Sequence, residues 1–446
     1  MSDIRKERAI VALNTAIGQG CKEARVTMNI SRQSSYSVRD CNLDRLNQST
    51  GSSLYIQLFI DGKYGSFSTN RTEPNQLKKF IQNAKEATLL LSADHARALP
   101  PPHLYYKGND SDLDQFDSGI ETLNPELKKE LAFGCAREIY GSDSRIISVN
   151  SEYSDVDDYI YIVDSQGFEG ESRQSSFSLS CDCSVKGDED SRPEGWWYEN
   201  SLFFNTLASK GIGNKTLERA LSRLNPRKQK SGKYNMVLEN TVSTRVIAPI
   251  ISALNGASIQ QNNSFLKDKI GKQVFSPSFQ LFDTPHIKKA FGSRYFDGEG
   301  IATKPISIIE NGVVQTYFIN TYYSRKLGIP ITTEGPSVPV CNHSDNIANA
   351  NNHIDLDKIL KYCNNGILVT GFNGGNSNTS TGDFSFGIQG FYFENGIVLH
   401  PIKEMNVTGN LITLWNSFIA AGTDPRNSGR WQIPTLAFEN VNFSGI

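Results

Sequence analysis

Residues 54–69 read LYIQLFIDGKYGSFST, and their pattern sets the reading of the chain's first part. Leu54, Ile56, Leu58 and Ile60 alternate with Tyr55, Gln57 and Phe59, the period-two signature of a strand with one buried face. Asp61-Gly62 supplies two residues that tolerate positive φ, as a two-residue hairpin turn requires, so the chain returns as a strand over 63–69. Glu73-Pro74 then opens a helix in which Leu77, Phe80, Ile81, Ala84 and Ala87 recur at three and four residues as one apolar stripe. A helix to about residue 16 and strand-rich sequence from residue 24 precede this βα layer.

Working outward, residues 93–118 lack periodicity, and Pro100-Pro101-Pro102 makes a stiff spacer before an acidic run at 110–117. A domain boundary is expected there. Asn124-Pro125-Glu126 caps a helix to about residue 140, and 146–151, 158–163 and 170–185 read as three strands. Leu217, Ala220, Leu221 and Leu224 share one face of a helix over 214–224, which Asn225-Pro226 ends. The basic stretch 226–233, PRKQKSGK, reads as an exposed linker. Beyond it, Glu-Asn-Gly at 310–312 and again at 394–396 predicts two antiparallel hairpins, one joining 306–309 to 313–319 and one joining 391–393 to 397–399. Helices are expected over 242–254, 356–363 and 410–420. The predicted class is α+β: an α/β N-terminal half in two subdomains, 1–95 and 118–225, then a strand-rich C-terminal domain with a few helices over 234–446.

Composition narrows the function classes. A chain of 446 residues with 38% hydrophobic and 21% charged residues is globular and too long for one core. Its net charge of -2 provides no positive field for a polyanion, so nucleic acid is not an expected partner. The apolar run 9–13 is interrupted by Asn14 and Thr15 before reaching signal-peptide length, and no stretch of about 20 apolar residues could span a bilayer. Seven scattered cysteines, an odd number, do not form a disulfide framework, and a reducing cytoplasm is the expected location.

Several residue groups could carry chemistry. Cys341 and His343 would share one face of a strand, as a nucleophile beside its base would, but partners in catalysis usually meet in space and not in sequence. Cys181 and Cys183 read as small buried side chains. Glu152, Asp155, Asp157 and Asp158 lack the spacing of a calcium loop and read as a solvated turn. Gly211-Ile212-Gly213-Asn214-Lys215-Thr216 lacks the glycine before lysine of a phosphate loop, and a plain helix N-terminus accounts for it. Trp196-Trp197-Tyr198 reads as packing before ligand stacking. The run GFNGGN at 371–376 with Thr381-Gly382-Asp383 follows one strand and leads into another. Asn373, Gly374, Gly375, Asn376, Thr381 and Asp383 could therefore hydrogen-bond an extended peptide, or the glycines could simply make a tight bend.

Five ordered blocks carry a family resemblance: SFLKDKIGKQVFSP (264–277), FDGEGIATKP (296–305), ENGVVQTYFINTYYSRKLG (310–328), STGDFSFGIQGFYFENG (380–396) and PIKEMNVTGNL (401–411). With residues 34–70 they resemble the TldD/PmbA (modulator of DNA gyrase) family, on its PmbA/TldE-like branch. The resemblance implies zinc-dependent proteolysis of small or unstructured peptides by a paired assembly in which one subunit holds the metal. In the metal-bearing branch a His-Glu-x-x-x-His helix holds the ion and its water. Counting back from Ser264-Phe265 places that helix at 243–255, here STRVIAPIISALN, with Val246, Ile247 and Ile251 where ligands and base would stand. The cysteine ligand expected near the C-terminus is missing from 422–434 as well. The expectation is a subunit without catalytic residues or metal of its own, zinc being held only by a TldD-like partner. Its expected assembly is a homodimer or a heterodimer with that partner, acting on peptide. The alternatives are an active metallopeptidase with non-standard ligands and a peptide-binding scaffold with no proteolytic role.

Overall fold

A computed structural model describes residues 2–108, 110–344 and 353–445. The first half is built on one antiparallel sheet of six strands: β1 (Glu23–Arg39), β2 (Asn42–Ile60), β3 (Lys63–Thr69), β4 (Ile146–Asp164), β5 (Glu169–Val185) and β6 (Glu194–Ser201). Their spatial order is β3-β2-β1-β4-β5-β6. Asp61 and Gly62 turn β2 into β3 with φ of 50° and 76°, the paired positive values that the sequence demanded. The β1–β4 ladder runs from Arg25 opposite Asp164 to Arg39 opposite Asn150, so the sheet continues across the 95–118 stretch.

One face of this sheet carries two separate apolar cores. Val26, Met28 and Ile30 of β1 pack under α1 (Ser2–Gly18) and α2 (Pro74–Leu89) through Ala12, Leu13, Leu77 and Ile81. Farther along the same strand, Tyr36 and Val38 join the core under α3 (Pro125–Arg137) and α4 (Ile212–Ser222). Every second residue of β1 faces the helices, so one strand serves both cores.

Between the cores lies a polar belt that corrects two expectations. The separate strands expected at 146–151 and 158–163 are a single strand, and the acidic cluster lies along it, not in a solvated turn. Asp155 and Asp157 are buried on the helix-covered face. Lys128 from α3 stands 2.6 Å from Asp155, Ser34 donates to both Asp155 oxygens at 3.0 Å, and Arg173 reaches Asp157 at 2.7 Å. The carboxylates tolerate burial because cations distant in sequence meet them there.

The second half contains a four-stranded sheet of β9 (Phe279–Asp283), β10 (Ile306–Glu310), β11 (Val313–Val314) and β12 (Pro339–His343). An eight-stranded mixed sheet includes β7 (Arg227–Lys228), β8 (Gly232–Leu238), β13 (Gly366–Phe372), β14 (Asn376–Ser377), β15 (Asp383–Glu394), β16 (Ile397–Asn410) and Leu436–Ser444. Both Asn-Gly hairpins form, with Asn311 and Asn395 at φ of 49° and 54°. The expected strand 313–319 is only two residues long, and the expected helix 410–420 splits into helix Leu411–Asn416 and strand Phe418–Ala421. Phe279 stacks on Trp415 at 3.7 Å inside the core that joins the two sheets. The α+β class expected from the sequence is the one observed, with the strand-rich part C-terminal.

The segment after α2 straps the halves together. Tyr106 N–H donates to Gly300 O at 3.0 Å, Ala302 N–H to Leu104 O at 2.9 Å, and Tyr295 hydroxyl to Ser111 O at 2.6 Å. Arg25, ion-paired with buried Asp164 at 3.0 Å, also donates to Glu299 O at 2.8 Å. Among the described residues no helix is long and apolar enough to cross a membrane.

Candidate functional site

Helix α5 (Thr244–Ala253) occupies the position at which the family resemblance implies metal ligands. Its inward stripe is Val246, Ile247, Ile250 and Ala253, all buried, with Ile251 packed at the margin of the same core. The Trp415 indole N–H donates to Val246 O at 3.2 Å and fastens the helix to that core. Branched alkyl groups offer no lone pair to a cation and no site for a proton, so the residues present do not fit zinc. Among the described residues no group of three or more His, Cys, Asp or Glu side chains is arranged to hold a metal ion. In the segment 422–434 the polar groups serve structure. Asp424 accepts from Thr435 N–H at 2.9 Å, and the Arg426 guanidinium lies 4.3 Å from the Trp197 ring while donating to Tyr198 O at 2.7 Å.

The glycine–asparagine loop sits at the exposed end of α5. Arg245 Nη2 donates to Gly375 O at 2.8 Å, and its guanidinium lies 4.7 Å from the Phe386 ring. Gly375 has φ of 84°, and a Cβ there would stand 2.1 Å from Ser385 O, so this glycine makes a close backbone approach that no other residue permits. Gly374, at φ 89°, faces open space. Asn373 N–H donates to Gly387 O at 2.7 Å. Asn410 Nδ2 donates to Thr381 O at 2.8 Å and to Asp383 Oδ1 at 2.9 Å. The Asn410 amide holds the Asp383 carboxyl below the usual carboxylate range. Asn373, Gly374, Gly375, Asn376, Thr381 and Asp383 thus gather at one corner, all exposed. The tight bend and an exposed amide-rich rim coexist in that loop.

Comparison with known proteins agrees along the whole chain. Residues 24–88, 119–224 and 231–445 match, in order, domain 1, the central domain and the C-terminal domain of the PmbA/TldA metallopeptidases. The chain belongs to the PmbA/TldD family. Metalloprotease PmbA of Escherichia coli O157:H7 is 25% identical over 448 residues, covering 99% of this chain and 96% of the relative. The Metalloprotease PmbA homolog of Haemophilus influenzae is 27% identical over 419 residues, covering 92% and 90%. A crystal structure of a candidate modulator of DNA gyrase from Bacteroides thetaiotaomicron superposes with a TM-score of 0.96 at 47% identity, covering 100% of this chain and 99% of that one. TldE from Thermococcus kodakarensis shares the fold at a TM-score of 0.85 and 17% identity, covering 98% and 100%.

The other candidates in this PmbA/TldD chain resolve into packing. Cys341 and His343 do share one face of β12, but both are buried, and desolvation pushes the Cys341 thiol far above its ordinary value, so no thiolate is available. Cys181 and Cys183 lie in the core under α3 and α4, and burial pushes the Cys183 thiol up to about 12. At the N-terminus of α4, Glu138 accepts from Gly211 N–H at 2.7 Å and Asn214 N–H at 3.2 Å, so the chain's own carboxylate takes the place an anion would have. Trp196 and Tyr198 stack at 5.4 Å with an interplanar angle of 6° along β6.

Sequence reasoning missed a cleft of about 1160 Å³ between the N-terminal sheet and the C-terminal domain, lined by Arg173, Tyr106, Tyr295, Asp297 and Glu334 among others. Asp297 is buried there and accepts backbone N–H groups from Glu299 and Ile301 at 2.9 and 3.0 Å. Desolvation first, then the charges of Glu334 and Glu299, push its carboxyl up to about 7. Only the short spacing of FDGEG hinted at a tight acidic turn, since its burial depends on the strap and on Glu334.

Proposed function

We propose that this chain is a cytoplasmic, non-catalytic subunit of a TldD/TldE-type metallopeptidase system that presents small or unstructured peptides to a zinc-bearing partner. The observation that carries this reading is the alkyl stripe of α5, Val246 and Ile247 with Ile251, where the family resemblance calls for imidazole and carboxylate. The exposed rim formed by Asn373, Asn376, Thr381 and Asp383 offers amide, hydroxyl and carboxylate groups to a peptide main chain. Held to α5 through Arg245, that rim would lie beside the partner's metal helix if the two subunits juxtapose equivalent surfaces.

The test is co-expression with a His-Glu-x-x-x-His relative from the same genome, assayed on unstructured peptides with each chain alone as control. The expected result is chelator-sensitive cleavage by the pair and none by this chain. Cleavage by this chain alone, or one tightly held zinc per chain, would overturn the reading. Stable pairing without any gain in cleavage would favour a scaffold.

A further inference from the structure

A small cavity of about 190 Å³ opens where α4 meets the eight-stranded sheet of the C-terminal domain. Its polar wall begins with Arg219, whose Nη1 and Nη2 each hold a Glu239 oxygen at 2.9 Å. Thr241 donates to the same carboxylate, so Glu239 is fully engaged. Arg219 Nε nevertheless remains buried without a hydrogen-bond partner. Opposite stands Thr370, 5% exposed, whose hydroxyl is likewise buried and unpartnered.

The backbone explains why Thr370 is there. The β13–β15 ladder skips from Val369 opposite Gly390 to Gly371 opposite Gln389, leaving Thr370 as the extra residue of a bulge. Bulges re-aim side chains, and this one also turns Thr370 O toward Arg219 Nη2 at 3.4 Å. Two buried polar atoms without partners on facing elements are costly unless something answers them.

Charge says what that something is. Lys215 pairs with Glu218 at 3.0 Å and Arg219 with Glu239, while Arg223, which also lines the cavity, forms no ion pair among the described residues and donates only to Glu194 O at 2.6 Å. Among the charged side chains that line the cavity, one positive charge is therefore left over. Burial and the neighbouring Arg219 hold the Arg223 guanidinium below its ordinary value, against the opposing pull of the Glu239 and Glu194 carboxylates. The remaining wall is apolar, from Leu368, Phe391 and Val398.

We propose that this cavity binds a small carboxylate bearing a short apolar tail, its oxygens answering Arg219 Nε, Arg223 and the Thr370 hydroxyl and its tail lying on Leu368 and Phe391. The proposal is independent of the peptidase reading. A bound anion would bridge the central region to the C-terminal domain, since α4 supplies the cations and β13 the hydroxyl.

The test titrates the full chain with propionate and, separately, inorganic phosphate, followed by calorimetry and by the fluorescence of Trp197, whose ring lies 5.3 Å from the Arg219 guanidinium. Saturable binding of one propionate per chain is expected, weakened about tenfold in Thr370→Val, which loses one buried hydrogen bond. Arg223→Gln should weaken it at least as much, while thermal melts of both variants without ligand confirm that each is folded. Phosphate binding tighter than propionate would overturn the carboxylate assignment. Absence of saturable binding, or equal binding by wild type and both variants, would overturn the site.

Discussion

Arg245, on the first turn of α5, holds the carbonyl of Gly375 at 2.8 Å, so the helix that lacks metal ligands anchors the amide-rich loop. Arg245→Ala should leave the fold intact, at a cost of about 1 kcal/mol because the contact is exposed. Amide hydrogen exchange across 373–377 should accelerate, and any measured peptide affinity should fall. Unchanged exchange in that segment would show that the loop needs no anchor.

The two glycines of the loop should behave differently. Gly375→Ala meets Ser385 O at 2.1 Å in addition to its positive φ and should lose about 2–3 kcal/mol. Gly374→Ala faces open space and should lose only the left-handed penalty, about 1 kcal/mol. Urea denaturation of the two variants decides the order.

The buried pair Lys128–Asp155 leads to a third expectation. Lys128→Met alone strands a carboxylate that is also bound by Ser34 and should cost about 3–5 kcal/mol. Adding Asp155→Leu should recover most of that loss, because two apolar side chains can replace an ion pair between flanking apolar cores. A double variant no more stable than the single would mean that the belt is needed for correct pairing of β1 with β4.

Asp297 makes stability depend on pH. Its folded pKa is pushed up from 3.8 to about 7, so the folded chain keeps a proton that the unfolded chain releases. The contribution of this group is therefore full below the unfolded pKa and is lost as pH rises from about 4 to about 7. Glu334→Gln removes one repelling charge and can keep the acceptor that Gly298 N–H uses at 3.1 Å. Its urea midpoint should decline less steeply than that of the wild type between about pH 4 and 7. Parallel curves would assign the pH response to other groups.

What the sequence made legible was local. The Asp61-Gly62 turn, the stripe Leu77, Ile81 and Ala84, and both Asn-Gly hairpins follow from propensities that neighbouring residues settle among themselves. Asp155 and Asp157 read as solvated because their counter-ions, Lys128 and Arg173, are brought by other elements. The strand Leu436–Ser444 went unread: it lies between β8 and β16, and its role in the sheet is set by those distant partners. At the candidate site, the loop's residues and the alkyl character of 246–251 were visible, but the Arg245 anchor, the bulge at Thr370 and the burial of Asp297 were not, each being a meeting of distant segments.

The ladder between β1 and β4 has a consequence for how such a chain can be inherited. Cutting it between residues 95 and 118 would bare two long strand edges at once, from Arg25 and from Asp164 onward, with the hydrogen-bonding groups of that ladder facing water or another molecule. Each fragment passed alone to another gene would carry an open edge ready to pair with other chains. The two matched N-terminal regions are therefore bound to travel together through recombination.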